Sequence, residues 1–157
     1  MPRLPWITKD GYLDWRKVPI DDLLRRSLSE DFSEMRSACG VLGAMEVNGR
    51  TEAGVYLVGL FHYVRDDLER LSEVVKVLPK NRQTAQLLFE EFYRVKSSNT
   101  TRRYLNTVLK SLAEFPPSLV EDGFERLCHD KTFSVRMRAK FEYYLEQVRV
   151  GAGNFWA

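Results

Sequence analysis

Cys128 and His129 stand side by side, and a thiol beside an imidazole is a pairing that nucleophilic catalysis uses. Adjacent residues on a helix project about 100° apart, a poor start for a dyad. Cys128 therefore reads as a packing residue, and His129 as a residue near a helix end, where a cation is favoured. His62, in the stretch GLFHYV, reads as a core or boundary histidine rather than a metal ligand. With two His and two Cys, no three ligands cluster in sequence; only carboxylates from distant helices leave a metal site open. Asp66-Asp67 and Glu90-Glu91 are adjacent acids, but general acid–base work needs convergence in space. Both pairs read as solvated faces or first-turn acids. Asp66 and Asp67 precede Arg70 by four and three positions, so helix ion pairs suffice for them. No nucleophile elbow, phosphate-binding loop or dinucleotide fingerprint is present in the sequence. No catalytic residue, metal or cofactor is assigned, and the expectation is that the chain is not an enzyme.

The cations are more informative. In HDKTFSVRMRAKF, residues 129–141, Arg136, Arg138 and Lys140 fall at every second position. Two helical steps rotate by about 200°, so the three do not make one stripe on a helix. Charge is also uneven along the chain. Residues 80–110 hold seven bases against two acids, and residues 131–149 hold five against two. Residues 10–34 hold seven acids and four bases, and residues 111–130 five acids and one base. The total, 24 Lys+Arg against 22 Asp+Glu, resembles neither a strongly basic nucleic-acid protein nor an acidic disordered chain. If the second helices of successive helix pairs line one face, Arg102, Arg103, Arg136 and Arg138 converge on it. Such a face suits an acidic protein partner or phosphates. Solvation and internal pairing are the commoner explanation for charges of this kind.

The elements that would position these residues are helical. The 157 residues suit a single domain, and 44% hydrophobic residues, with three Trp, seven Tyr and nine Phe, supply a core. Cys39 and Cys128 make no disulfide framework and read as reduced thiols. No secretory signal or membrane-length apolar run occurs, so a cytoplasmic protein with no membrane partner is expected. Residues 1–18 form either a short hairpin turning at Asp10-Gly11 or an extended arm, with Trp6, Tyr12 and Trp15 docked on the body. Residues 19–50 carry two capping helices. Pro19 is placed in the first turn of one, and Gly40 and Gly43 allow close packing of the other. Residues 51–148 hold helix pairs punctuated by Pro79 and Pro116-Pro117, with Ser98, Asn99 and Thr100 as capping candidates. Residues 149–157 form a tail whose Phe155 and Trp156 fold back. The spacing predicts about eight helices with short links, which favour antiparallel neighbours.

A period is visible in the second half. At an offset of 35, Phe89 meets Phe124, Glu90 meets Glu125, Phe92 meets Leu127 and Arg103 meets Arg138. The segment LCHDKTFSVRMRAKFEYYL resembles the inter-helix region of a HEAT-type repeat. Leu127, Asp130, Val135, Arg136 and Ala139 stand where that pattern has an apolar helix end, Asp, and then Val-Arg-x-x-Ala. One unit covers residues 117–148; a looser one covers 82–114, where Thr101 and Arg102 replace Val-Arg. The resemblance implies an all-α fold, a short stack of antiparallel helix pairs of the HEAT-like α-solenoid kind, with a plain helical bundle as the alternative and an N-terminal arm. It also implies that Asp130 caps the next helix or pairs with Arg136, and that Val135 and Ala139 share the buried face. By analogy with such repeats, the expected function is non-catalytic protein–protein interaction, as a small adaptor or inhibitor. A nucleic-acid-binding repeat with a basic groove is the alternative, and oligomeric state stays open.

Overall fold

A computed structural model describes residues 4–155, with side chains through residue 151. Among the described residues every regular element is an α-helix: α1 (Asp21–Arg26), α2 (Phe32–Val47), α3 (Thr51–Tyr63), α4 (Leu68–Val75), α5 (Arg82–Arg94), α6 (Arg102–Ala113), α7 (Pro117–His129) and α8 (Val135–Phe155). The chain is all-α. It divides into two compact units, residues 1–79 and 80–157.

In the first unit the chain turns back at Gly11, whose φ of 84° is in the left-handed region that glycine tolerates. Thr8 N–H donates to Tyr12 O at 2.7 Å and Asp14 N–H to Trp6 O at 2.8 Å, around an isolated Ile7–Leu13 bridge. Trp6 and Trp15 are half-buried. Tyr12, expected to dock, is 73% exposed because it sits at the tip of this turn. Arg50 Nη1 fastens the following chain, donating to Trp15 O at 2.8 Å and Val18 O at 2.6 Å. Pro19 lies outside the first helix, which begins at Asp21 after Ile20. Asp31 caps α2 through Ser33 N and Glu34 N, and Asp67 caps α4 through Arg70 N; each satisfies donors that a helix start leaves unpaired.

The core of this unit is built from Met35, Leu42, Met45, Leu57, Phe61, Leu71 and Val74. The two glycines of α2 behave differently. A Cβ on Gly43 would lie 2.8 Å from Val77 Cβ, so this glycine permits close approach, whereas Gly40 has open space around it. His62 is exposed, with its ring edge-to-face against Phe61 at 5.4 Å. This corrects its reading as a core or boundary residue: helix α3 buries positions 53, 54, 57, 60 and 61 and turns 62 outward.

In the second unit Asn81 and Thr84 cap α5 reciprocally, Thr84 N donating to Asn81 Oδ1 at 3.0 Å and Asn81 N to Thr84 Oγ1 at 3.1 Å. Helix α6 follows Thr101, not Ser98, Asn99 or Thr100, and Thr101 makes no side-chain cap. Its hydroxyl donates to Lys96 O at 2.6 Å instead, tightening the preceding loop. Pro117 opens α7, where its missing N–H costs nothing. Helix α8 runs on to Phe155, past residue 148 where the tail was placed. The folding back of Phe155 and Trp156 concerns side chains outside the described residues.

Aromatic rings fill this core edge-to-face. Phe89 meets Phe124 at 5.2 Å, Phe92 meets Phe141 at 5.1 Å, and Phe141 meets Phe133 at 5.2 Å. Such pairs add roughly 0.5–1.5 kcal/mol beyond area burial. Gly123 makes room for Phe89, since a Cβ there would come within 2.4 Å of the ring.

Two expectations about the α7–α8 turn are corrected. Asp130 neither caps α8 nor pairs with Arg136. It accepts from Thr132 N at 2.9 Å, Thr132 Oγ1 at 2.6 Å and Tyr93 Oη at 2.7 Å. Ser134 Oγ caps α8 by accepting from Met137 N at 3.1 Å. Val135 is 75% exposed and Ala139 is exposed as well. The buried face of α8 is Met137, Phe141, Leu145 and Val148.

Candidate interaction surface

Helix α6 reads RRYLNTVLKSLA and contains no acid. Tyr104, Leu105, Val108, Leu109 and Leu112 recur at three and four residues and are buried, which turns Arg102, Arg103 and Lys110 outward. Helix α8 is oriented by its buried face, and the opposite side carries Arg136, Lys140, Tyr143 and Gln147, again three and four apart. Tyr143 is 58% exposed. The two helices touch, and Lys140 Nζ donates to Asn106 Oδ1 at 3.4 Å. Asn106 lies four residues after Arg102, and Lys140 four after Arg136.

Some cations of the same unit have carboxylate partners and others do not. Arg94 is paired with Glu91, Arg149 with Glu121 and Glu125, and Lys80 with Glu114. Among the described residues Arg102, Arg103, Arg136 and Arg138 have no carboxylate partner; the one side-chain bond found is from Arg102 Nη2 to Asn99 Oδ1 at 3.1 Å. The backbone adds to their imbalance. Arg102 and Arg103 open α6, and Arg136 is second in α8, and neither helix has an acid in its first turn. A helix start is the positive end of its dipole, where an exposed cation costs about 0.3–1 kcal/mol. In the first unit all four helices place an acid there, Asp21, Glu34, Glu52 and Glu69, whereas α5 and α7 lack one as α6 and α8 do.

Arg138 does not join this face. It lies about 200° round the helix from Arg136, is half-buried, and its Nε is enclosed without a hydrogen-bond partner. The set on one side is exposed Arg102, Arg103 and Lys110 of α6 with exposed Arg136 and Tyr143 and half-buried Lys140 of α8. Sequence reasoning left Lys110, Lys140 and Tyr143 out of the site, although the steps Arg136–Lys140–Tyr143 follow helical spacing.

The other chemistry-bearing residues are placed as follows. Cys128 is half-buried, its thiol donating to Glu125 O at 3.1 Å. Burial, and then Glu142 and Glu125, push its pKa up, away from a reactive thiolate. It lines an α7–α8 groove of about 600 Å³ with Glu125, His129, Glu142, Glu146 and Arg149, yet no group of three His, Cys, Asp or Glu among the described residues has metal-binding geometry. Glu91 is 0% exposed, which corrects its reading as a solvated acid. It accepts from Arg94 Nε at 2.7 Å, Arg94 Nη2 at 2.6 Å and Tyr104 Oη at 2.6 Å. Burial first, and then the bond to Glu91, raise the Tyr104 phenol far above its usual range. This triad ties α5 to α6. No described helix is long and apolar enough to cross a membrane. In comparisons with known proteins the chain matches no family model, no curated protein and no solved structure.

Proposed function

We propose that the chain is a non-catalytic protein–protein interaction module, a small cytoplasmic adaptor or inhibitor, that holds an acidic partner on the face built by α6 and α8. The carrying observation is that Arg102, Arg103 and Arg136 are exposed, unpaired with any carboxylate among the described residues, and set at the positive ends of two acid-free helix starts. These charges find no carboxylate among the described residues, and an anionic partner supplies one.

A stacked arrangement of α5–α6 on α7–α8 supports the reading, because it brings the two starts to one end. Lys80–Glu114, Asn106–Lys140 and Tyr93–Asp130 join residues 34, 34 and 37 apart, and Phe89–Phe124 joins residues 35 apart. A nearly constant offset is what equivalent positions of two helix pairs side by side would give, as in a helical repeat. The exposure of Val135 and Ala139 runs against the HEAT-type register, so the repeat reading rests on the offset. The free thiols Cys39 and Cys128 suit a reducing compartment.

A protein partner is favoured over nucleic acid by extent. From Arg102 to Lys110 the helix advances about 12 Å, three to four steps along one DNA strand at 3.4 Å each. A nucleic-acid groove needs a longer run of cations. The test is capture from nuclease-treated extract by the wild-type chain and by the Arg102→Glu/Arg103→Glu/Arg136→Glu variant. A stoichiometric protein lost in the variant supports the reading. Retention of every partner by the variant, or recovery of nucleic acid alone without nuclease, rejects it.

A further inference from the structure

We infer that the α6–α8 face reads a bipartite acidic segment: two or three carboxylates at one end and an apolar ring about 10 Å farther along. The inference rests on the proposed use of this face and adds a register to it. Arg102, Arg103 and Arg136 cluster at the end where α6 and α8 begin. Moving along α8 from Arg136, the same side presents Lys140 and then Tyr143. Seven residues of helix separate Arg136 from Tyr143, an advance of about 10 Å. Along α8 the face thus passes from cations to an aromatic ring, while α6 carries Lys110 about 12 Å beyond Arg102. Tyr143 is held at this position by an edge-to-face contact with Tyr144 at 5.3 Å, yet stays 58% exposed. A partly exposed tyrosine on the same helix side as an arginine has the character of an interface anchor.

Charge complementarity commits the cationic end to carboxylates, since no acid of α6 competes for it. An extended segment advances about 3.3 Å per residue, so the ring belongs three positions after the last carboxylate. The partner segment has the form acid-acid-acid-x-x-aromatic.

Fluorescence anisotropy with labelled peptides tests this on the full chain. The first peptide is Glu-Glu-Asp-Ser-Ser-Phe-Ser-Ser, and the second replaces its Phe by Ser. The first is expected to bind about 5-fold more tightly, within the range an aromatic pair supplies. Tyr143→Ala is expected to remove that advantage while leaving the second peptide unchanged. Tyr143 is exposed, so the variant folds, which circular dichroism verifies. If both peptides bind equally to the wild type, or if Tyr143→Ala leaves the advantage intact, the register is refuted while the acidic-partner reading stands. If neither peptide binds at millimolar concentration in low salt, both fall.

Discussion

Reversing Arg102, Arg103 and Arg136 to Glu should stabilise the protein while removing the proposed binding. All three occupy the first two positions of α6 or α8, where backbone N–H groups point outward without acidic compensation. An exposed cation there costs about 0.3–1 kcal/mol, and an acid gains a similar amount. Taking about 0.3–0.5 kcal/mol for each sign, to allow for screening at physiological salt, each reversal contributes about 0.6–1 kcal/mol. Three reversals give about 2–3 kcal/mol, less a few tenths for the lost Arg102–Asn99 bond. For a chain of this size each kcal/mol moves Tm by about 2–4 °C, so the rise is about 3–11 °C. Differential scanning calorimetry at 20 and 500 mM salt reads it, and the gain should shrink at the higher salt. An unchanged or lower Tm would refute the reasoning. The arginines would then be contributing to the fold, and their exposure would carry no functional meaning.

Other outcomes follow from packing and titration. Gly123→Ala places a methyl 2.4 Å from the Phe89 ring; chemical denaturation should show a loss of about 1–3 kcal/mol, and wild-type stability would contradict the packing. Glu91→Ala leaves the buried Tyr104 hydroxyl without its acceptor and should cost about 1–3 kcal/mol, whereas Tyr104→Phe removes one bond and should cost less. Asp130 is held below the usual carboxylate range, chiefly by the Thr132 hydroxyl and then by Tyr93. A depressed folded-state pKa contributes stability above the unfolded value near pH 4 and loses it as pH falls through the folded one. The stability gap between wild type and Asp130→Asn should therefore be constant at neutral pH and close below about pH 4; a gap that widens with acid would reverse the assignment. Cys39 is 1% exposed and burial pushes its thiol up to about 11. Iodoacetamide at pH 8 should label half-buried Cys128 first and Cys39 only after unfolding, as mass spectrometry would read.

Much of the helical outline was legible in the sequence because its punctuation is local. Pro79, Pro116-Pro117 and the Asn48-Gly49 turn, where Gly49 has a φ of 99°, each end or divide helices by backbone chemistry alone. The buried residues of α4 and α6 follow one clean apolar spacing. The face of α8 was not legible for an equally physical reason. Val135, Met137, Ala139 and Phe141 alternate, so two helical faces can be drawn through them. The larger Met137 and Phe141 are the buried pair, because Phe141 fills the space between Phe92 and Phe133. Burial of Glu91 depends on Tyr104, thirteen residues away on another helix, and no local pattern distinguishes Glu91 from solvated Glu90. At the candidate surface, unpaired arginines were visible only as an excess of charge. The separation of Arg138 from Arg136 follows from helical rotation alone, whereas their lack of carboxylates required the packing around α6 and α8.

Lysine footprinting in native extract tests the central claim most directly. Brief acetylation of the tagged chain, free and partner-bound, is followed by mass spectrometry of every lysine. Lys110 and Lys140, on the α6–α8 face, should become protected on binding, while Lys17 and Lys76 of the first unit keep their free reactivity. Protection of Lys17 or Lys76 with Lys110 and Lys140 unchanged would place the partner elsewhere and contradict the account.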